Sequence, residues 1–241
     1  MIGLGTLINT ASIVAAGFLG HFFGKLFNDR KQKAIIIACS ISVIFIGISG
    51  AMPGMLRVAG GTLESTHAML VVMCIVLGTV AGELLDIDRQ FEKFGEWLKK
   101  KTGNAKDVQF VDAFVNATMV VSIGAMAIVG AIQDGISGDF SILAVKSVLD
   151  FIIIVIMTSS MGKGCAFSAI PVFVFEGLVT LSAKVIEPVL SETAINNISF
   201  VGSILIFCVG LNLLHDKKIR VANMLPALIL AVAAAYLPFS H

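Results

Sequence analysis

Residues 141–160 read SILAVKSVLDFIIIVIMTSS, a twenty-residue apolar run whose charged side chains are Lys146 and Asp150. A membrane-spanning helix needs about 20 apolar residues, because each residue rises about 1.5 Å and the hydrocarbon core is about 30 Å thick. The run therefore predicts a transmembrane helix that carries one basic and one acidic residue inside the membrane.

Seven other stretches of the chain are also apolar and long enough to cross a bilayer. They are residues 2–24, 34–52, 66–84, 112–132, 164–184, 197–214 and 221–238. Together with residues 141–160 they predict eight spans. Pro171 and Pro226 lie in the sixth and eighth spans, so we expect either of these two to be broken or re-entrant.

The composition favours a membrane protein over every soluble class. Hydrophobic residues make up 57% of the 241 residues and charged residues 14%, with a mean hydropathy of +0.96. Soluble domains carry about 25% charged residues, so this chain could not cover a water-facing surface. A soluble enzyme, a nucleic-acid-binding protein and a disordered tail are thereby excluded. We expect a single all-α, polytopic transmembrane helical bundle over residues 1–241, with the lipid bilayer as its main partner.

Basic residues are unevenly distributed between the loops, and this predicts the orientation. Under the eight-span arrangement, 14 of the 17 Lys and Arg residues lie on one side of the membrane. They are in segments 25–33 and 85–110, at Lys163 and in segment 217–220. Arg57 and Lys184 lie on the other side. Because cytoplasmic loops carry the excess of Lys and Arg, we expect a multi-pass inner (plasma) membrane protein with both termini outside.

Residues 86–101, DIDRQFEKFGEWLKKK, form an amphipathic pattern rather than a span. The apolar residues Ile87, Phe91, Phe94 and Leu98 recur at helical spacing and define one stripe of a helix. Such a helix can lie along the cytoplasmic lipid headgroups, or its apolar face can pack on the bundle. The pattern allows both arrangements.

A short internal similarity suggests an inverted repeat. Residues 9–17 read NTASIVAAG and residues 116–124 read NATMVVSIG, so each places Asn eight residues before Gly. Three spans separate the two starts, an odd number, as inverted duplication requires; many transporters are built this way. Chance similarity between helices rich in small residues is the alternative. The repeat interpretation divides the chain into halves 1–84 and 111–184, a cytoplasmic segment 85–110 between them, and a C-terminal helix pair, 185–241.

Lys146, Asp150 and Glu176 are ionisable and lie well inside predicted spans, where a charged side chain costs roughly 2.5–3.5 kcal/mol on insertion scales. Lys146 precedes Asp150 by one helical turn, so the two can form an ion pair, although Lys146 could instead extend to the membrane surface. Glu176 lies near the middle of the sixth span. Each of these residues is interpreted either as a structural link between helices or as part of a proton, cation or charged-substrate site.

Asparagine side chains also lie in or beside the predicted spans, at Asn9, Asn116, Asn212 and Asn223. Amides in a bundle often hydrogen-bond a neighbouring helix, which is the structural interpretation of all four. Asn9 and Asn116 are stronger candidates for a site because the suggested repeat places them at corresponding positions.

The sequence lacks the common motifs for catalysis and for cofactor binding. It has no HExxH motif, no GxSxG elbow, no phosphate-binding loop and no dinucleotide fingerprint. Its four cysteines form no CxxC pair. We therefore expect no enzymatic activity, no metal site and no cofactor.

Several short motifs resemble those of a known family. They are Gly5-Thr6-Leu7-Ile8-Asn9, Gly82-Glu83, Gly130-Ala131-Ile132-Gln133-Asp134-Gly135, Lys146-Ser147-Val148-Leu149-Asp150, Gly162-Lys163-Gly164, Ser168-Ala169-Ile170-Pro171 and Ala222-Asn223-Met224-Leu225-Pro226. On these motifs nearly the whole chain resembles the YdfK/YqgA-like bacterial inner-membrane proteins, known as domain of unknown function 554. That family often has Cys-x-Gly-Pro in its fourth helix, where this chain has Ser122-Ile123-Gly124-Ala125.

The resemblance implies an integral membrane protein, at most a transporter without a known substrate. We expect a secondary transporter of a small solute, coupled to protons or cations, with Asp150 as the coupling carboxylate, Glu176 as second candidate and Lys146 as the charge that tunes them. The candidate substrate- or ion-binding residues are Asn9, Asn116, Gln133, Asp134, Lys146, Asp150, Glu176 and Asn223. The resemblance favours six of these, leaving out Asn116 and Glu176. A membrane scaffold or sensor, or a passive channel, is the alternative, and the sequence leaves open whether the protein forms a homo-oligomer.

Overall fold

The computed structural model describes residues 2–24, 29–104, 107–122, 125–186, 188, 190–214 and 219–236. Over these residues the chain is an all-α bundle, as its composition predicts, with one short β-hairpin. The helices are α1 (Leu4–Gly24), α2 (Asp29–Met55), α3 (Ala68–Leu85), α4 (Ile87–Lys101), α5 (Phe110–Ser122), α6 (Ala125–Ser137), α7 (Ser141–Met161), α8 (Ala169–Leu181), α9 (Ala183–Ile186), α10 (Glu192–Leu214) and α11 (Pro226–Ala234). Short 3-10 turns at Lys163–Ser168 and Val221–Met224 lead into α8 and α11.

Some sequence predictions fall outside the described residues. They concern the basic loop residues Lys25, Lys106, Lys217 and Lys218, the repeat residue Gly124, and the last two residues of the predicted eighth span.

The eight predicted spans correspond to helices of three kinds. Six are long and apolar enough to cross a membrane, namely α1, α2, α3, α7, α8 with its leading 3-10 turn, and α10. Helices α5 and α6 together make a seventh stretch, but they are bent by 62°. The eighth, Val221–Ala234, is apolar but shorter. The all-α polytopic bundle is confirmed, whereas the number of crossings stays a prediction.

The sharpest break among the described helices lies in the predicted fourth span, whereas the sequence led us to expect a break in the sixth or eighth. That break lies between α5 and α6. Pro226 is the first residue of α11, and Pro171 is the third residue of α8. The first four N–H groups of a helix have no intrahelical acceptor, so proline removes no hydrogen bond at these positions.

Close approach of helix backbones at glycines holds the bundle together. In the α1–α7 pair, a Cβ atom at Gly20 would lie 2.6 Å from the main-chain oxygen of Val155. A Cβ atom at Gly82 of α3 would overlap the main-chain carbonyl of Asn223, just before α11. Membrane helices often use small residues in this way, because lipid gives them no hydrophobic drive to associate.

The contacts between helix ends define two sides of the bundle. Gly5 of α1 lies against Leu143 of α7, and Gly135 of α6 lies against Thr180 of α8. The starts of α1 and α7 and the ends of α6 and α8 therefore share one side, which we call the N-terminal side. Arg220 and the basic end of α4 lie on the opposite side, which we call the basic side.

A two-stranded antiparallel hairpin joins α2 to α3, and sequence patterning did not predict it. Its strands are β1 (Leu56–Ala59) and β2 (Thr62–Ser65), with Leu56 opposite Ser65. Gly60 and Gly61 both have positive φ, of 58° and 81°, as a tight two-residue turn requires. The hairpin is small and exposed, so it does not shape the buried site.

The amphipathic segment forms helix α4, and its apolar face packs on the bundle. Leu98 is buried, and the ring centroid of Phe94 lies 5.8 Å from that of Phe114 on α5. Trp97 stacks on Phe94 while keeping 52% of its surface exposed. Of the two arrangements that the sequence allows, packing on the bundle is present, and contact with lipid headgroups stays a prediction.

Candidate functional site

Asn9, Lys146, Asp150 and Glu176 form one group, which we call the buried ionic cluster. These four side chains come from α1, α7 and α8, and each is at most 6% exposed. The Lys146 ammonium forms an ion pair with Asp150 and lies 3.4 Å from Oε1 of Glu176. Nδ2 of Asn9 donates a hydrogen bond to the same Oε1 atom at 2.8 Å. Residues separated by up to 167 positions thus meet at one point in the bundle.

Lys146 has a third oxygen partner at the break between α5 and α6. Its ammonium donates a hydrogen bond to the main-chain carbonyl of Val121, at 2.8 Å. Val121 lies in the last turn of α5, where carbonyl groups lack intrahelical donors and carry the negative end of the helix dipole. The break in the fourth span therefore supplies part of the coordination of the buried lysine.

The buried ionic cluster contains more acidic than basic groups. With Lys146, Asp150 and Glu176 all ionised, its formal charge is negative by one unit. Oε2 of Glu176 and Oδ1 of Asn9 are buried and have no hydrogen-bond partner among the described residues. An uncompensated charge in a region of low dielectric constant is costly, and a bound proton or cation removes that cost. The cluster thus has one excess negative charge and two buried oxygen atoms that could contact a positive ion.

The cluster lies within the spanning helices, closer to the N-terminal side. Asn9 is five residues from the start of α1, Lys146 is five from the start of α7, and Glu176 is five from the end of α8. At about 1.5 Å per residue, all three lie about 7 Å inside the helix ends. Asp150 lies one helical turn deeper.

Polar contacts connect the cluster to the N-terminal side. One turn outward, the hydroxyl oxygens of Thr6 and Thr180 lie 3.3 Å apart. Further outward, the fully buried carboxylate of Asp134 accepts hydrogen bonds from the main-chain N–H groups of Gly3, at 3.2 Å, and Gly5, at 2.9 Å. Polar groups therefore lie at successive levels between the start of α1 and Asn9, and we call them the polar series.

Toward the basic side, the cluster is followed by an apolar layer. Ile13 of α1 and Ile154 and Met157 of α7 are each at most 1% exposed. Beyond them, a cavity of about 250 Å³ is lined by polar groups that include Asp107 and Thr158. The two polar regions are therefore separated by packed apolar side chains.

A second polar cluster lies on the basic side and joins α3, α4 and the start of α11. Arg220 forms ion pairs with Asp86 and, at 2.6 Å, with Glu83. Nδ2 of Asn223 donates to Glu83 at 2.8 Å, and Oδ1 of Asn223 accepts a hydrogen bond from the N–H of Asp88 at 2.7 Å. Every polar atom of the Asn223 amide thus serves to join helices in this state.

The eight predicted site residues fall at different places in the structure. Asn9, Lys146, Asp150 and Glu176 are brought together. Asp134 lies on the polar series outside the cluster, Gln133 is exposed near the end of α6, and Asn223 belongs to the cluster on the basic side. Asn116 is buried in α5, and no hydrogen bond to the four clustered side chains is present among the described residues.

Sequence reasoning missed several groups that contribute to these polar regions. The Val121 carbonyl gave no signal, because a main-chain acceptor is exposed only where a helix breaks. Thr6 and Thr180 are common residues in membrane helices, and their pairing depends on tertiary packing. Glu83 and Arg220, by contrast, are charged residues at the ends of predicted spans, and opposite charge on one side could have suggested their pairing.

The buried ionic cluster is closed in this conformation. The side chains of Asn9, Lys146, Asp150 and Glu176 are each at most 6% exposed. The cluster is therefore a packed centre rather than an open pocket, and access to it requires a change in helix packing.

The fold and the buried cluster define a polytopic membrane protein with ionisable groups buried inside its bundle. The chain belongs to the family described as "Protein of unknown function (DUF554)", which matches residues 4–236 and confirms the resemblance seen in the motifs.

Two relatives match almost the full length. An "Uncharacterized membrane protein YdfK" of Bacillus subtilis (strain 168) is 26% identical over 226 residues, which cover 94% of this chain and 93% of that protein. An "Uncharacterized protein YqgA" of Escherichia coli (strain K12) is 26% identical over 233 residues, which cover 95% and 94%. No solved structure matches the chain.

Proposed function

We propose that this protein is a secondary transporter of a small solute in the bacterial inner membrane, coupled to protons or to a monovalent cation through the buried ionic cluster. The observation that carries the proposal is the contact of Lys146 with Asp150, Glu176 and the Val121 carbonyl beside a broken helix. Broken helices next to buried charges are a recurrent feature of secondary transporters.

The charge of the cluster supports coupling to a positive ion. Its two carboxyl groups face one ammonium group, so a proton or a cation is needed for neutrality. A coupling site must bind and release this ion without unfolding. Oδ1 of Asn9 and Oε2 of Glu176, both buried and without partners among the described residues, are suited to receive it. In this proposal Asp150 is the coupling carboxylate, Glu176 the second acidic group, and Lys146 the charge that tunes both.

The arrangement of polar and apolar layers supports alternating access. Polar groups lead from the N-terminal side to the cluster, whereas Ile13, Ile154 and Met157 close the path toward the basic side. By the positive-inside rule, the basic side faces the cytoplasm and both termini lie outside. In this proposal the conformation described is an occluded state, in which the apolar layer closes the path toward the cytoplasm.

The same apolar layer favours a carrier over a passive channel, which requires a continuous water path. The scaffold alternative relied on Phe91 and Phe94 to dock a partner. Phe94 instead packs against Phe114, and Phe91 packs against the core. Part of the apolar face of α4 is therefore already used within the described bundle.

The proposal is tested by transport in proteoliposomes. Purified protein is reconstituted, an inside-alkaline pH gradient and a sodium gradient are imposed, and a pool of small bacterial metabolites is added outside. Mass spectrometry then identifies the solutes that accumulate inside. We expect the wild type and Asp139→Asn, an exposed loop variant, to accumulate the same solute. Asp150→Asn should fold but lose gradient-driven accumulation, and undiminished accumulation in this variant would remove Asp150 from the mechanism.

A further inference from the structure

A cavity of about 510 Å³ lies beside the bend between α5 and α6, and we call it the lateral cavity. Its walls come from α4, α5, α8 and the start of α11, with Phe91, Met119 and Pro171 among the lining residues. Val174 and Leu178, which also line it, are 51% and 60% exposed. Because these two lie on the outer surface of a membrane-spanning helix, the cavity opens laterally to lipid.

Two hydroxyl groups on α5 line this largely apolar cavity, in which the amide of Gln90, the other polar side chain, already donates to the main-chain carbonyl of Leu85 at 2.8 Å. Thr118 and Ser122 are four residues apart, so they lie on the same face of the helix. Oγ1 of Thr118 and Oγ of Ser122 are buried and have no hydrogen-bond partner among the described residues. Thr118 itself is 1% exposed.

Several other hydroxyl groups in the same bundle avoid this situation, although Oγ1 of Thr158 does not. Oγ1 of Thr10 donates to the carbonyl of Thr6 at 2.8 Å, and Oγ1 of Thr79 donates to that of Ile75 at 2.6 Å. This local hydrogen bond is the usual way in which a helical Ser or Thr satisfies its hydroxyl in an apolar environment. Thr118 and Ser122 therefore have hydrogen-bonding capacity left for a group in the cavity.

The chemistry of the walls defines the kind of molecule that fits. None of the described lining residues is charged, so a charged ligand would be buried without a counter-ion. A hydrocarbon chain would fill the space but leave both hydroxyls unpaired. The volume is within the range of small-molecule sites, which are mostly apolar with a few polar groups.

We propose that the lateral cavity binds an uncharged, largely apolar molecule that enters from the bilayer and carries a hydroxyl or carbonyl oxygen, which pairs with Thr118 and Ser122. The site is separate from the buried ionic cluster, although Val121, which precedes Ser122, accepts the hydrogen bond from Lys146. Binding at this site does not depend on transport, so the two proposals can fail independently.

The test uses the full-length protein in lipid nanodiscs and a matched pair of photoactivatable probes. One probe is a medium-chain aliphatic alcohol with a diazirine group, and the other is the same diazirine chain without the hydroxyl. Labelled peptides are identified by mass spectrometry over a series of probe concentrations. The double variant Thr118→Val, Ser122→Ala removes both hydroxyls with little change in shape, and Thr79→Val is the matched control. A third variant, Val174→Trp, fills the cavity.

We expect the alcohol to label peptides of α4, α5 and α8 saturably in the wild type and in Thr79→Val. The double variant should need about tenfold more alcohol for half-saturation, since each lost hydrogen bond contributes a factor of a few. Its labelling by the alkane probe should stay unchanged, which also shows that the variant is folded. Val174→Trp should lose labelling by both probes, and Asp150→Asn should keep it.

Three results would overturn the proposal. One is an equal half-saturating concentration of the alcohol in the wild type and the double variant. Another is alkane labelling as strong and as saturable as alcohol labelling, since the cavity would then be a groove for lipid chains. The third is labelling spread over the whole lipid-facing surface without saturation.

Discussion

The ammonium group of Lys146 lies 3.4 Å from Oε1 of Glu176 and joins α7 to α8 inside the membrane. The same group binds Asp150 and the Val121 carbonyl, so one cation serves oxygen atoms from three helices. Because all three side chains are nearly inaccessible, loss of this cation would leave two carboxylates close together without compensation.

The first prediction concerns Lys146→Met. Removing one partner of a buried ion pair costs about 3–5 kcal/mol, so the free energy of unfolding should fall by this amount. Adding Asp150→Asn to this variant restores the original charge of the cluster and should recover much of the loss. Reversible unfolding in mixed detergent micelles measures both. Lys163→Met, at an exposed position, is the control and should change the free energy of unfolding little. A loss as small as this in Lys146→Met would contradict the contacts described for Lys146.

The second prediction concerns the glycine contacts between helices. Gly82→Ala should lower the midpoint of thermal unfolding markedly, because the new Cβ atom would overlap the main-chain carbonyl of Asn223. A Cβ atom at Gly177 of α8 would meet no heavy atom within 4 Å, so Gly177→Ala should be neutral or slightly stabilising. Detergent-based thermal scans of the two variants give the comparison. Similar midpoints would show that α3 and the turn at Asn223 are not packed as closely as described.

The third prediction concerns Asp134, which ties the end of α6 to the start of α1. Asp134→Asn loses one acceptor oxygen for the N–H groups of Gly3 and Gly5, and should reduce the free energy of unfolding by about 1.5–3 kcal/mol. The exposed Asp139 accepts a hydrogen bond from the N–H of Ser141 at the start of α7. The side-chain oxygen of Asn accepts such a local hydrogen bond about as well as that of Asp, so Asp139→Asn should change stability little. Equal losses in the two variants would argue against a special role for Asp134.

A fourth prediction follows from the environment of Asp139. The hydrogen bond from the main chain of Ser141 lowers the pKa of the Asp139 carboxyl below its ordinary value. A carboxyl with a lower pKa in the folded state stabilises the protein at pH values above its unfolded pKa, and this stabilisation is lost as the pH falls through the folded pKa. The midpoint of thermal unfolding should therefore fall less on acidification in Asp139→Ala than in the wild type. If the midpoint depended on pH identically in Asp139→Ala and the wild type, the ionised Asp139 carboxylate would contribute nothing to stability.

Much of the fold could be predicted from local hydropathy. The predicted span 141–160 agrees with α7 (Ser141–Met161) to within one residue, and the predicted span 197–214 lies within α10 (Glu192–Leu214). The position of the break was not predictable in this way. The two prolines drew attention to the sixth and eighth spans, whereas the bend lies in the fourth, whose residues 112–132 contain no proline.

The candidate site was predictable in part. The spacing of Lys146 and Asp150 on one helix indicated an ion pair without any tertiary information. That Glu176 and Asn9 join this pair depends on how α8 and α1 pack against α7, which hydropathy does not specify. Asn223 is likewise an amide near a predicted span, but it lies on the basic side with Glu83. The inverted repeat stays a prediction.

The central claim is that the buried ionic cluster holds a proton or a monovalent cation. Infrared spectroscopy of the purified protein at neutral pH tests this directly through the carboxyl stretching bands, recorded in sodium, potassium and choline salts. We predict either a protonated carboxyl band or a carboxylate band that changes when sodium or potassium is replaced by choline, and in each case the signal should disappear in Glu176→Gln or Asp150→Asn. Two ionised carboxylates, with a spectrum that is insensitive to the cation and no protonated band, would contradict the account.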